Sequence, residues 1–99
     1  MAIVMKLQWD GVTSEQYDKA CEVASWEIDP PEGGVFHVAW FADGALNVLD
    51  VWDSAEQFEA FLGTRLGAAT QAAGMEGEPT VEISPAHRIF DVRQATAWS

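Results

Sequence analysis

The chain has 99 residues, enough for one domain with a single core and too few for two. Sixteen acidic residues against five basic ones give a net charge of −11, which disfavours nucleic acid and anionic membranes as partners, because phosphate binding needs clustered Lys and Arg. No apolar run approaches the roughly 20 residues of a membrane helix, the first residues do not read as a signal peptide, and Cys21 stands alone, which excludes an intrachain disulfide and fits a reducing, cytoplasmic setting.

Residues 2–9, AIVMKLQW, alternate as a strand. Ile3, Met5, Leu7 and Trp9 fall on one face; Lys6 and Gln8 fall on the other, where they are expected to rim a pocket. A helix follows from Thr13, whose spacing to Gln16 suits a capping box, and runs to about Trp26. Its inner stripe carries Tyr17, Ala20, Cys21 and Ala24, which read as core residues. The stretch DPPEGG, residues 29–34, is a stop and a loop.

Strands at about 35–42 and 45–52 flank Asp43-Gly44, a dipeptide that tolerates positive φ and marks a two-residue hairpin turn. A second helix starts at Ser54, again with Gln three residues on, and shows the apolar stripe Phe58, Phe61, Leu62, Leu66 and Ala69. Gly74 suits its C-terminal cap. A last strand at 80–83 is interrupted by Pro85 and is expected to resume in HRIFDV. The core is thus expected over residues 2–90, with 91–99 as a polar tail.

The order strand, helix, strand, strand, helix, strand is a ferredoxin-like βαββαβ arrangement of the α+β class: an antiparallel sheet with both helices on one face. The second face is left open, and a broad apolar face in water calls for association, most simply as a homodimer.

A two-residue turn fixes which hairpin residues oppose each other. Phe41 then faces Leu46, Ala39 faces Val48, His37 faces Asp50 and Val35 faces Trp52. Phe36, Val38, Trp40, Asn47, Leu49 and Val51 form the other, more uniformly apolar face, which is expected under the helices. The His37 face is expected to be the open one. Directly opposed side chains have Cβ atoms about 4.5–5.5 Å apart, so a His37–Asp50 hydrogen bond is expected. Such a carboxylate fixes the tautomer of an imidazole and prepares it to accept a proton. Two readings of the pair stand: a structural link between strands, or an acid/base pair with Val35, Ala39, Phe41, Val48 and Trp52 as surrounding pocket wall. His87, beyond Pro85, is a further candidate ligand contact. No metal-ligand spacing is present.

Four pieces, DGVTSEQYD (10–18), FHVAW (36–40), DVWDSAEQFEAF (50–61) and SPAHRIF (84–90), carry a likeness to a known group. In their order the chain resembles the dimeric α/β-barrel superfamily, and within it the small antibiotic-biosynthesis-monooxygenase-type proteins. The resemblance implies a pocket for a hydrophobic small molecule and a dimer. It also implies activities that include cofactor-free oxygenation, acid/base cyclisation or isomerisation, haem degradation and plain ligand binding. Haem-degrading members use an Asn on the first strand and a His on the second helix, and neither is present here. The expected function is therefore cofactor-independent, monooxygenase-like chemistry on a flat, enolisable or aromatic, polyketide-like substrate. His37 and Asp50 would act as acid/base. A cyclase or isomerase, or a non-catalytic binding module, is the alternative.

Overall fold

A computed structural model of the chain describes residues 1–94; of the expected tail, residues 95–99 lie outside the described part. Four antiparallel strands, β1 (Ile3–Asp10), β2 (Gly34–Ala42), β3 (Ala45–Trp52) and β4 (Thr80–Pro85), form one sheet in the order β2-β3-β1-β4. This is the ferredoxin-like order, with the first and third strands central.

Helix α1 (Ser14–Ala24) starts on the expected capping box: Gln16 N–H donates to Thr13 Oγ1 at 3.1 Å, and Thr13 N–H donates to Gln16 Oε1 at 2.9 Å. It stops two residues short of Trp26, because Ser25 turns into the left-handed region at φ 56°. The second helical region begins after Ser54, whose Oγ accepts from Gln57 N–H at 3.2 Å. It consists of α2 (Ala55–Phe61), a π-helical turn (Leu62–Leu66) and α3 (Gly67–Ala72), where the sequence reads as one regular helix. In the π turn Gly67 N–H reaches back to Leu62 O, and a Cβ at Gly67 would sit 2.9 Å from that same oxygen. Glycine is therefore what lets the chain close this wider turn. Leu62, the first residue of this turn, is 42% exposed and drops from the expected stripe.

Asp43 and Gly44 take φ of 56° and 74°, as a two-residue hairpin turn requires. The expected pairs Phe41–Leu46, Ala39–Val48 and His37–Asp50 all form, and Ala42 pairs with Ala45 next to the turn. Below His37 the register shifts: Gly34, not Val35, opposes Trp52, and Val35 is the extra residue of a β-bulge. Strand β4 continues through Pro85, which an edge strand tolerates. The expected resumption in HRIFDV does not occur; Val92–Gln94 form a short 3₁₀ turn.

The helices cover the face opposite to the one expected. Ile3, Met5, Leu46, Val48 and Trp52 pack with Ala20, Ala24, Phe58, Phe61 and Ala69 in one buried cluster. β1 decides this. Its apolar side, Ile3, Met5 and Leu7, pairs with Trp52, Asp50 and Val48, so those residues and His37 face the helices. Lys6 and Gln8 lie on the other side, opposite Leu49 and Asn47, and do not rim the cavity. The open face carries Val38 at 38% and Trp40 at 47% exposure on β2, with Leu49 and Val51 half-buried beside them.

Candidate functional site

Between the helices and the sheet lies a cavity of about 240 Å³. Its floor is Met5, Leu7, Leu46 and Val48, its sides include Trp9, Trp26, Trp52 and Phe61, and the far end holds Leu66, Thr70 and Met75. Pro30, Pro31, Gly34, Val35 and Phe36 complete the wall, and most of these are exposed, so they form the mouth.

Four side chains in this wall form one hydrogen-bonded chain. His37 and Asp50, opposed across β2 and β3, approach to 2.6 Å between Nδ1 and Oδ1. A carboxylate can only accept, so in the neutral imidazole the proton is on Nδ1 and Nε2 keeps its lone pair. Tyr17, on the inner side of α1, places its hydroxyl 2.7 Å from Nε2, so the hydroxyl donates. Trp52, two residues along β3 from Asp50 and on the same face, donates Nε1–H to the second carboxylate oxygen at 3.0 Å. Asp50 is 7% exposed and is the buried charged residue among the described residues. Its partners satisfy it; no buried side-chain N or O among the described residues lacks a hydrogen bond.

Burial pushes the Tyr17 phenol well above its ordinary value near 10, and Cys21, Glu27 and Asp50 act in the same direction. Tyr17 is therefore a neutral donor throughout the ordinary pH range. Burial likewise raises the neighbouring Cys21 thiol. The rings around His37 hold it in place: Trp26 is tilted over it with centroids 5.5 Å apart, and Phe41 meets Tyr17 edge-on at 6.3 Å. The segment carrying Trp26 is clasped by Arg65, which donates to Ala24 O at 2.5 Å and to Asp29 O at 2.8 Å while lying 5.2 Å over the Phe61 ring.

The structure brings His37, Asp50, Val35, Val48 and Trp52 together around the cavity. Ala39 packs against the core and Phe41 against Tyr17, both outside the cavity lining. His87 is exposed beyond the end of β4 and is also outside the lining. The sequence reading missed Tyr17 and Trp26. Tyr17 is the only tyrosine in the chain. It lies on the stripe with the buried Ala20 and Ala24, and Ala20 lines the cavity beside it.

Among solved structures the likeness is clear. An oxygenase from Streptomyces nogalater, the cofactor-independent SnoaB in a mutant form, matches with TM-score 0.64 and 14% identity, over 89% of this chain and 95% of that one. The fold is that of the antibiotic biosynthesis monooxygenase-like proteins. A Caulobacter crescentus protein described as a "putative antibiotic biosynthesis monooxygenase" matches with TM-score 0.71 and 20% identity, over 88% of this chain and 91% of that one. Rv0793 from Mycobacterium tuberculosis matches with TM-score 0.64 and 9% identity, over 92% and 100%. At such identities the likeness concerns the fold. Sequence comparison matches no protein-family profile and no curated protein.

Proposed function

We propose that the protein is a cofactor-independent, monooxygenase-like enzyme in which His37, held by Asp50, exchanges a proton with a small, flat, enolisable or aromatic substrate in the cavity under the helices. The observation that carries this reading is a hydrogen-bonded imidazole–carboxylate pair set into a largely apolar cavity wall. An apolar pocket with a few convergent polar groups is the usual form of a small-molecule site, and burying Asp50 costs free energy that a purely structural link would avoid with apolar residues. Once deprotonated, an electron-rich substrate itself reduces oxygen, so the chemistry asked of the protein is proton transfer in a largely apolar site. SnoaB, described as a cofactor-independent oxygenase, shows that the fold accommodates such a reaction. An isomerase or cyclase would use the same proton transfer without consuming oxygen.

The open sheet face supports a homodimer. Val38, Trp40, Leu49 and Val51 present an apolar surface that a second copy would cover. Sedimentation is expected to give twice the 10.8 kDa chain mass.

The test is oxygen uptake with naphthalene-1,4-diol and 1-naphthol as probes, above the rate in buffer. His37→Ala should lower it by about 10²–10⁴-fold while circular dichroism stays unchanged. Undiminished uptake in that variant would remove His37 from the reaction. Binding without uptake or isomerisation would favour the second reading, a non-catalytic binding module. That reading draws on one observation, that both His37 nitrogens already have protein partners.

A further inference from the structure

Both nitrogens of the His37 ring are engaged within the protein. Nδ1 is committed to Asp50 and Nε2 receives the Tyr17 hydroxyl. No lone pair of the imidazole is left for a substrate. We propose that Tyr17 is itself a catalytic residue, standing between the substrate and His37 and relaying the proton from one to the other; this rests on the acid/base reading of His37.

The geometry gives the relay a direction. A phenol has one proton and two acceptor lone pairs. The Tyr17 proton is spent on Nε2, Cys21 is a second hydrogen-bond partner of the phenol, and Tyr17 is part of the cavity wall, so one lone pair of Oη remains for a substrate hydroxyl. In the step, the substrate O–H bond breaks and its proton goes to Tyr17 Oη. The proton already on Tyr17 passes to His37 Nε2. The products are a substrate oxyanion and an imidazolium facing the Asp50 carboxylate, with no net gain or loss of protons. Burial opposes a free tyrosinate here, and the relay never forms one, because Oη receives a proton as it gives one up.

The surroundings fit a group that must hold its aim. The Tyr17 and His37 rings lie nearly parallel, 3° apart in plane, with Trp26 at 5.9 Å and Phe41 at 6.3 Å from Tyr17. Trp52 fixes the far oxygen of Asp50. Each member of the chain Trp52–Asp50–His37–Tyr17 thus has its orientation set by the next, and all four residues line the cavity, with Tyr17 at the end of the chain.

The test uses 2-naphthol and 2-methoxynaphthalene, which share a ring system and differ in the O–H. Wild-type protein should bind 2-naphthol about tenfold more tightly, the worth of one good hydrogen bond to a polarised acceptor. It should also shift the absorbance of bound 2-naphthol toward the naphtholate form at neutral pH. Tyr17→Phe keeps the ring and its contacts; it should abolish the preference and the shift while leaving 2-methoxynaphthalene affinity unchanged. His37→Gln should abolish the shift and leave the methoxy compound bound. If Tyr17→Phe keeps both signals and His37→Gln loses the shift, the substrate reaches the imidazole directly: the relay is wrong and the acid/base reading survives. If both variants keep both signals, the acid/base reading falls with the relay. A wild-type protein that does not distinguish the probes, or binds neither, overturns the relay.

Discussion

On the helix side of β3, Leu46, Val48 and Trp52 surround one carboxylate, Asp50; on the open side, Asn47, Leu49 and Val51 alternate with them under no helix. By apolar content alone the open side is the better candidate for a core. It carries Val38 and Trp40 on β2 with no titratable group between them, whereas the helix side carries His37 and Asp50. The helices nevertheless cover the side with the charge. What makes this tolerable is saturation: Asp50 accepts from both Trp52 and His37, and His37 accepts from Tyr17. A buried polar group is costly when unpaired and nearly neutral when every atom has a partner. The comparison teaches that apolarity marks a face that must be covered, not which element covers it. A pair of ionisable residues in a covered face marks the site of chemistry, while the open hairpin face of Val38, Trp40, Leu49 and Val51 is suited to association, with Lys6 and Glu82 opposed beside it.

If that division holds, each face should fail in its own way. The largest effect is expected on the open side. Trp40→Lys puts a charge into the proposed dimer interface, and in a two-fold interface each change counts twice. At about 2 kcal/mol for each lost anchor, the dimer should weaken by about 4 kcal/mol, roughly a thousandfold in dissociation constant by sedimentation. Monomer stability should move by less than about 0.5 kcal/mol. A Trp40→Lys protein that remains dimeric would break the assignment of association to this face.

A smaller effect is expected on the helix side. Asp50→Ala leaves the Trp52 Nε1–H without an acceptor in the core, and the loss should be about 1–3 kcal/mol of unfolding free energy in urea, with the slope unchanged. Asp50→Asn retains one acceptor and should lose less than the alanine variant. Equal stability of all three proteins would mean that the carboxylate is not saturated in the way described, and its burial would no longer mark a site.

Much of the fold was legible because it is written in local signals. The Asp43-Gly44 turn set four hairpin pairs, including His37–Asp50. Thr13 with Gln16, and Gly74 with its φ of 76°, marked a helix start and a helix end. The covered face was not legible from the hairpin, because both of its faces are largely apolar. It could be read from β1, where Lys6 and Gln8 alternate with Ile3, Met5 and Leu7 and leave little choice of inner side. Antiparallel pairing of Ile3 with Trp52 then carries that choice across the sheet to Asp50 and His37. The bulge at Val35 and the π turn at Leu62–Leu66 escaped the periodicity because each inserts a residue that no local propensity announces. Tyr17 escaped for a different reason. With His37 assigned to the open face, a tyrosine on the inner stripe of α1 had nothing polar to meet; with the face corrected, the two are on the same side.

The most direct test of this division between a reactive face and an associating face is a crystal structure of the protein with 2-naphthol bound. The account predicts the naphthalene ring in the cavity between helices and sheet, against Trp26 and Phe61, with its hydroxyl within hydrogen-bond reach of Tyr17 Oη. A naphthol seated instead on the open face, against Val38 and Trp40, with the cavity empty, would contradict it.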